Sequence, residues 1–173
     1  PRNDVFFDDL KTSVYIKNLK LRFNNPKVIL YLPTFRDNNP EIDLFYQFGF
    51  DITKWGEYLK ETNTIMVYKP HFAGVMDYDF SKNERIIFFD SEIEPDINVF
   101  MKSTDLLITD YSGAYFDFKL TSKPIILAPF DIEEYISLSR ELYIDYNDLD
   151  DYKCNNWNEI LNILKNTDFN KLV

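Results

Sequence analysis

The chain of 173 residues has little cysteine, histidine or glycine: one, one and four residues respectively. A single cysteine, Cys154, excludes an internal disulfide and any zinc site built from several cysteines. A single histidine, His71, excludes the paired histidines of an HExxH zinc-protease motif. The four glycines cannot be arranged as GxGxxG or GxxxxGK[ST]. The usual dinucleotide and P-loop fingerprints are therefore absent.

Basic residues are also scarce, with 19 Lys and Arg against 29 Asp and Glu and a formal net charge of −10. This balance argues against a general nucleic-acid binder and against broad electrostatic adhesion to an anionic membrane. No apolar run approaches the roughly 18 residues of a membrane span, and no signal-peptide pattern opens the chain. A small anionic ligand held by a few local groups is compatible with this composition. The lone cysteine suits a reducing cytoplasm.

Apolar residues are plentiful, at 45% of the chain, and aromatic residues reach 17%. Five short apolar runs are continuous rather than alternating, which is typical of strands buried on both faces of a parallel sheet. These runs occupy residues 28–32, 64–68, 86–89, 106–109 and 124–127. Helical periodicity appears between and around them, at 10–21, at 44–59 with a break near Gly49, and at 97–101, 114–120 and 157–164. The alternation predicts an α/β domain with helices on both faces of a parallel sheet, where ligands bind beyond the carboxyl ends of the strands.

Two basic segments follow the first two predicted strands. Arg36 can present a two-pronged donor to a phosphate or carboxylate, or it can pair with Asp37 or with solvent. His71 has an unperturbed pKa near neutrality, so it could hold a phosphate oxygen or protonate a leaving group. A surface histidine is the plain alternative. Lys69 adds a positive charge nearby or merely ends the strand.

The segment from Asp110 to Ala114 follows the fourth run and is the most informative. A helix predicted to open at Ser112 offers unpaired N–H groups that suit a phosphate, and Gly113 leaves room for its oxygens. Ser112 can bind the phosphate or simply cap the helix.

Acidic residues follow the last predicted strand, at Asp131, Glu133 and Glu134. They can bind ribose hydroxyls, or they can be helix-start acids on a solvated face. No Ser–His–Asp or Cys–His arrangement can be defended, because Cys154 sits in a polar segment far from His71 in sequence.

Taken in order, these segments resemble the CDP-glycerol glycerophosphotransferase family, the teichoic-acid-type polymerases and primases. The segments that carry the resemblance are 1–4, 31–37, 69–71, 106–112, 116–118, 123–126 and 130–135. Each is weak alone, but their shared order is specific. The resemblance implies a GT-B architecture of two Rossmann-like lobes, with residues 1–173 forming the single C-terminal, donor-binding lobe. The start at Pro1 rather than Met fits an internal piece of a longer protein.

The resemblance also implies an activity. Family members transfer glycerol phosphate, or a related alditol phosphate, from a CDP-alditol to a teichoic-acid-like or capsular polymer and release CMP. We expect the fragment to bind the donor without turning it over, because the acceptor lobe is missing. The parent enzyme is expected in the cytoplasm, with any membrane association at the inner face made by parts outside this chain. No nucleic-acid partner is expected.

Roles carry over only to matching positions. Arg36 and His71 correspond to catalytic, diphosphate-side groups, and Ser112 with Gly113 to the phosphate-binding turn. Glu134, with Asp131 or Glu133, corresponds to a ribose contact. Lys69 and Asp110 complete the implied donor-binding set.

Two departures from the family pattern stand out. The usual Ser-Ser pair is Ser112-Gly113 here, and the His-Gly-Thr motif expected upstream is not in the chain. No metal-ligand set is predicted, although a divalent cation would offset the repulsion between an acidic surface and a CDP donor.

Three alternatives stay open. A GT-B glycosyltransferase using a nucleotide sugar would share the fold and the phosphate-binding turn. A phosphoacceptor receiver module would use Asp8, Asp9, Asp110 and Lys123, although too many elements separate Asp9 from Asp110. A noncatalytic nucleotide-binding lobe is the third.

Overall fold

A computed structural model describes residues 2–8, 11–37, 39–70, 79–138 and 145–167. The strands are β1 (Lys27–Leu32), β2 (Thr64–Tyr68), β3 (Ile86–Phe88), β4 (Leu106–Thr109), β5 (Ile125–Leu127) and β6 (Tyr152–Lys153). The α-helices are α1 (Val14–Arg22), α2 (Ile52–Glu61), α3 (Ile97–Lys102), α4 (Ala114–Lys119), α5 (Ile132–Leu138) and α6 (Trp157–Asn166). Two 3₁₀ helices span Arg2–Phe7 and Tyr146–Asp148. Among the described residues, no helix is long and apolar enough to cross a bilayer.

The six strands form one sheet in the order β3-β2-β1-β4-β5-β6, and every neighbouring pair is parallel. The predicted parallel α/β sheet is confirmed. The chain builds outward from β1 in one direction and then from β4 in the other, so the order reverses between these two central strands. Ligands of doubly wound sheets bind at such a reversal, beyond the carboxyl ends of the strands.

Each face of the sheet carries its own apolar layer. Side chains alternate along β1, so Ile29 and Tyr31 join one layer while Val28 and Leu30 join the other. Helices α2 and α6 cover the first layer, and α1, α3 and α4 cover the second. Because both faces are buried, the central strands read as continuous apolar runs rather than alternating ones.

Local caps fix where the helices covering the first layer begin. Asp51 accepts hydrogen bonds from the backbone N–H groups of Thr53 and Lys54 at the start of α2. Asn156 accepts from the N–H of Glu159 (3.0 Å), and the Asn156 amide donates back to the Glu159 carboxylate (3.0 Å), which stabilises the start of α6.

The structure corrects the predicted helix over 44–59. Only α2 is helical, and the preceding residues form turns that end at Gly49, whose φ of +75° no continuing helix adopts. Asp43 accepts from the N–H groups of Phe45 and Tyr46 and so stabilises this turn. The apolar spacing correctly indicated buried side chains, because Phe45 and Phe50 are in the core, but the backbone between them is not helical.

The strand β6 was not predicted, because two exposed residues leave no apolar run to recognise. It lies beside β5, and the N–H of Cys154 donates to the Leu127 carbonyl at 2.9 Å. The segment around Cys154 is polar in sequence, as expected, but the cysteine itself is buried. Burial raises the pKa of its thiol to about 12, with a further contribution from the charge of Glu159.

We therefore expect Cys154 to resist thiol reagents in the folded protein. At pH 8 a thiol of pKa about 12 has on the order of 10³-fold less thiolate than an unfolded cysteine of pKa ~8.5. Labelling with a chromogenic disulfide reagent should be slow in buffer and stoichiometric in guanidinium. Rapid stoichiometric labelling of the folded chain would contradict this assignment.

Candidate functional site

The site lies where the chain leaves β1 and β4. Leu32 and Thr109 are the last paired residues of these strands, and the Thr109 hydroxyl donates to the Leu32 carbonyl at 2.7 Å. Beyond them the N–H of Thr34 donates to Asp110 Oδ1 at 2.8 Å. The two loops therefore stay side by side after the strands end.

Arg36 joins the ends of three strands. Its Nε and Nη2 donate to Asp131 Oδ2 and Oδ1 at 2.7 and 2.8 Å, and its Nη1 donates to Asp110 Oδ2 at 2.8 Å and to the Thr34 carbonyl at 2.6 Å. Four of the five guanidinium N–H groups are thus engaged. The Arg36 side chain is only 5% exposed, as is that of Asp131, and the Asp110 side chain is 2% exposed.

Tyrosine rings surround this group. The guanidinium carbon of Arg36 lies 4.9 Å from the centre of the Tyr111 ring and 5.2 Å from that of Tyr135. The two rings are stacked with their centres 4.0 Å apart, and the Tyr111 hydroxyl donates to Asp131 Oδ1 at 3.0 Å. We call Arg36, Asp110, Asp131, Tyr111 and Tyr135 the arginine cluster.

The charges within the arginine cluster are strongly coupled. Burial alone would lower the pKa of Arg36, but Asp110 and Asp131 outweigh it and the net shift is upward. Burial raises the pKa of Asp110, while Arg36 and the Thr34 N–H act in the opposite direction. Burial, then the Asp131 and Asp110 charges, raise the pKa of Tyr111. Arg36 is therefore a cation and Tyr111 a neutral donor at physiological pH.

This arrangement changes how Arg36 can act. One cation faces two carboxylates, so the cluster carries no excess positive charge with which to attract a diphosphate. A ligand could meet at most one free guanidinium N–H. In this structure Arg36 joins the loops that follow β1, β4 and β5.

The turn at Ser112 and Gly113 lies next to the arginine cluster. The Ser112 hydroxyl accepts from the N–H of Ala114 at 3.2 Å, but the N-cap of α4 is Gly113 and not Ser112, where the helix was predicted to open. Gly113 has an ordinary φ of −59°, is exposed, and has nothing within 4 Å of where a Cβ would stand. Neither backbone conformation nor internal packing requires glycine at this position.

The remaining predicted site residues are less constrained. Lys69 is half-buried directly after β2, with its ammonium 5.5 Å from the centre of the Phe89 ring. Glu133 and Glu134 are exposed on the first turn of α5. His71 lies outside the described residues. Within the described ranges, no group of three His, Cys, Asp or Glu side chains is arranged to hold a metal ion.

Sequence reasoning missed Thr34, Tyr111, Tyr135 and Tyr146. The Tyr146 hydroxyl donates to the Asp110 carbonyl at 3.3 Å, from a 3₁₀ helix that no pattern predicted. Tyr111 and Tyr135 directly follow Asp110 and Glu134 in sequence. That adjacency was the only available signal, because an aromatic residue near a strand end more often belongs to the core.

Comparison with known proteins identifies the family. The model of the family described as CDP-glycerol:poly(glycerophosphate) glycerophosphotransferase matches residues 1–171. The chain belongs to this family. A teichoic acid ribitol-phosphate polymerase of Staphylococcus aureus, TarK, is 31% identical over 83% of the chain and 28% of its own length. A teichoic acid poly(glycerol phosphate) polymerase of Bacillus subtilis is 34% identical over 84% of the chain and 20% of its own length.

Solved structures agree with the sequence relatives. The wall teichoic acid polymerase TagF superposes with a TM-score of 0.71 at 25% identity, over 99% of this chain and 42% of that one. A form of TagF soaked with CDPG has the same fold, with a TM-score of 0.71 at 24% identity over the same shares of both chains. The GT-B-type, Rossmann-like fold implied by the sequence is confirmed. The chain spans about a quarter of the length of the first curated relatives it matches, 28% and 24%.

The arginine cluster should dominate the local stability. Arg36→Met leaves two buried carboxylates without their cation, so we expect a loss of about 3–5 kcal/mol in the free energy of unfolding. Adding Asp110→Asn and Asp131→Asn to the same chain should recover part of that loss. Urea unfolding of the ligand-free protein measures both effects.

The matched control is Lys54→Met, which removes an exposed ion pair with Asp51 (3.4 Å). Its cost should stay below about 1 kcal/mol. Equal effects of the two methionine variants would show that Arg36 is not the structural centre assigned here.

Proposed function

We propose that this chain is the donor-binding lobe of a CDP-alditol transferase, which passes glycerol phosphate or a related alditol phosphate to a teichoic-acid-like or capsular polymer and releases CMP. Family membership supports the reaction class. The TagF crystals soaked with CDPG support a CDP-linked donor. The acceptor would be held by a separate N-terminal lobe, because the chain spans only part of its relatives.

Gly113 is the observation that carries this proposal. The residue stands at the strand reversal, beyond the carboxyl end of β4. Its surroundings are open, and nothing within the protein requires glycine there. A phosphate can approach the main-chain N–H groups of this turn through that open space, at the position where the family pattern has its second serine. We therefore place the donor diphosphate against Ser112 and Gly113.

The proposed chemistry is a direct displacement at the β-phosphorus of the donor. An acceptor hydroxyl forms the new oxygen–phosphorus bond as its proton passes to a base outside this chain. The bond to the bridging oxygen breaks, and CMP leaves with the electron pair. His71 and Lys69 would offset the negative charge that gathers on the diphosphate. Arg36 would act indirectly, by holding the loops and offering its one remaining N–H.

The ribose contact is proposed for Glu134 with Glu133. Asp131 is the third acid after the last long strand, but both of its carboxylate oxygens already accept from Arg36, and one also accepts from Tyr111. The two glutamates are exposed on α5 and have carboxylates on the surface. A cytoplasmic location, with membrane association at the inner face through other parts of the protein, completes the proposal.

Gly113→Asp tests the binding turn directly. Because φ is −59° and the Cβ position is open, the free energy of unfolding should stay the same or rise by up to about 1 kcal/mol. Affinity for CMP and CDP-glycerol should fall about tenfold or more, because a carboxylate would repel a phosphate held at this turn, measured by titration calorimetry beside UDP-glucose. Lys165→Ala, near the end of α6, is the surface control. Unchanged affinity in Gly113→Asp, or preference for UDP-glucose over CDP-glycerol, would argue against the proposal.

His71→Ala tests the charge-neutralising role in the intact enzyme. Removing a group that stabilises the leaving phosphate or donates its proton should lower kcat by about 10²–10⁴-fold, with a smaller effect on donor affinity. Release of CMP from CDP-glycerol in the presence of acceptor is the assay. An unchanged rate would reduce His71 to a surface residue.

A further inference from the structure

The hydroxyl of Thr34 is buried and has no hydrogen-bond partner. The rest of the residue is firmly held, because its N–H donates to Asp110 Oδ1 at 2.8 Å and its carbonyl accepts from Arg36 Nη1 at 2.6 Å. A buried hydroxyl without a partner is costly, and native structures rarely keep one without a reason.

Four nearby hydroxyl groups at these strand ends are engaged. Those of Thr109, Tyr111 and Tyr146 donate to Leu32, Asp131 and Asp110, and that of Ser112 accepts from Ala114. Within the described residues, the oxygen of Thr34 is the one buried hydroxyl oxygen without a hydrogen-bond partner. The polar network around it is otherwise complete, so packing alone does not explain the choice of threonine.

The other buried polar atom without a partner has a different setting. Trp55 Nε1 belongs to a side chain packed among the rings of Phe50 and Trp157 in the core below α2. That side chain is enclosed in the core, at 1% exposure, and contributes there through its apolar surface. Thr34 lies instead on a loop beyond the carboxyl end of β1, at the strand reversal.

Strand register places Thr34 beside the proposed phosphate-binding turn. Leu32 is opposite Thr109, and the hydrogen bond from the Thr34 N–H to Asp110 keeps the segments that follow β1 and β4 adjacent beyond the last strand pair. The next residues of the β4 loop are Tyr111, Ser112 and Gly113. With the Thr34 backbone fixed, rotation about χ1 is the movement left to the hydroxyl, and it needs only a change between staggered rotamers.

We propose that Thr34 is a donor-binding residue whose hydroxyl donates a hydrogen bond to a phosphate oxygen of the nucleotide held at Ser112 and Gly113. The inference rests on the proposed function and adds a residue to its binding site. A hydroxyl suits this place, because the positive charge of Arg36 is already shared by Asp110 and Asp131. A donor hydrogen bond to an anion is stronger than one to a neutral acceptor.

The test compares Thr34→Val, which keeps the shape and removes the hydroxyl, with Thr34→Ser, which keeps the hydroxyl. In titration calorimetry with the intact protein, Thr34→Val should weaken CMP and CDP-glycerol about 10- to 100-fold. Thr34→Ser should stay within about threefold of the unmodified protein. Cytidine lacks a phosphate, so its affinity should be the same in all three proteins.

Ligand-free unfolding separates a binding role from a structural one. Thr34→Val should unfold at the same urea concentration or a higher one, because it removes an unsatisfied buried hydroxyl. A lower midpoint would overturn the inference, since the hydroxyl would then have a partner inside the protein. Equal affinity of Thr34→Val and the unmodified protein for CMP and CDP-glycerol would also overturn it, while the proposed function would stand. Failure of the unmodified protein to bind either nucleotide would overturn both.

Discussion

The ion pairs of Arg36 with Asp110 and Asp131 are the interaction on which the strand-end geometry depends. The partners lie 74 and 95 residues further along the chain, so the guanidinium connects the ends of β1, β4 and β5. A cation removed from water must be paired and hydrogen-bonded, and here the planar guanidinium engages one carboxylate with two parallel bonds. The loops that follow these three strands are thereby connected at one buried point.

That constraint determines how an anion can be bound. The buried cation is already neutralised within the protein, and the chain as a whole is acidic, with a formal net charge of −10. Under the proposed function, a diphosphate would therefore be bound by main-chain N–H groups, hydroxyl groups and cations outside the arginine cluster, such as Lys69. Such a site selects by geometry more than by long-range attraction, which reaches little beyond ~10 Å in physiological salt.

Aromatic packing in the core also joins the loops at this edge of the sheet. Trp157 is fully buried, stacks on Phe45 with ring centres 5.1 Å apart, and donates from Nε1 to the Leu44 carbonyl at 2.8 Å. The long segment after β1 is thus fastened to α6. Phe48 from this segment meets Phe130 from the end of β5, with ring centres 5.1 Å apart. The loops beyond β1 and β5 are therefore joined through the core as well as through Arg36.

The sequence by itself determined the parallel sheet, its five longer strands and the segments that end at the site. Continuous apolar runs are a local consequence of burial on both faces, so they can be read without knowing any partner. It did not reveal β6, the turns over 44–49 or the burial of Cys154, because each depends on what packs against it. The ion pairs of Arg36 were not predicted for the same reason, because their partners lie 74 and 95 residues away in the sequence.

Only the tertiary structure decided which polar groups are free to meet a ligand. In the sequence, Arg36 and Asp131 look as available as Lys69 and Glu134. In the folded chain, Arg36 and Asp131 hydrogen-bond to each other. Glu134 is exposed, and the Thr34 hydroxyl has no hydrogen-bond partner. Hydrogen-bond satisfaction is set by contacts between distant segments, and no local pattern encodes it.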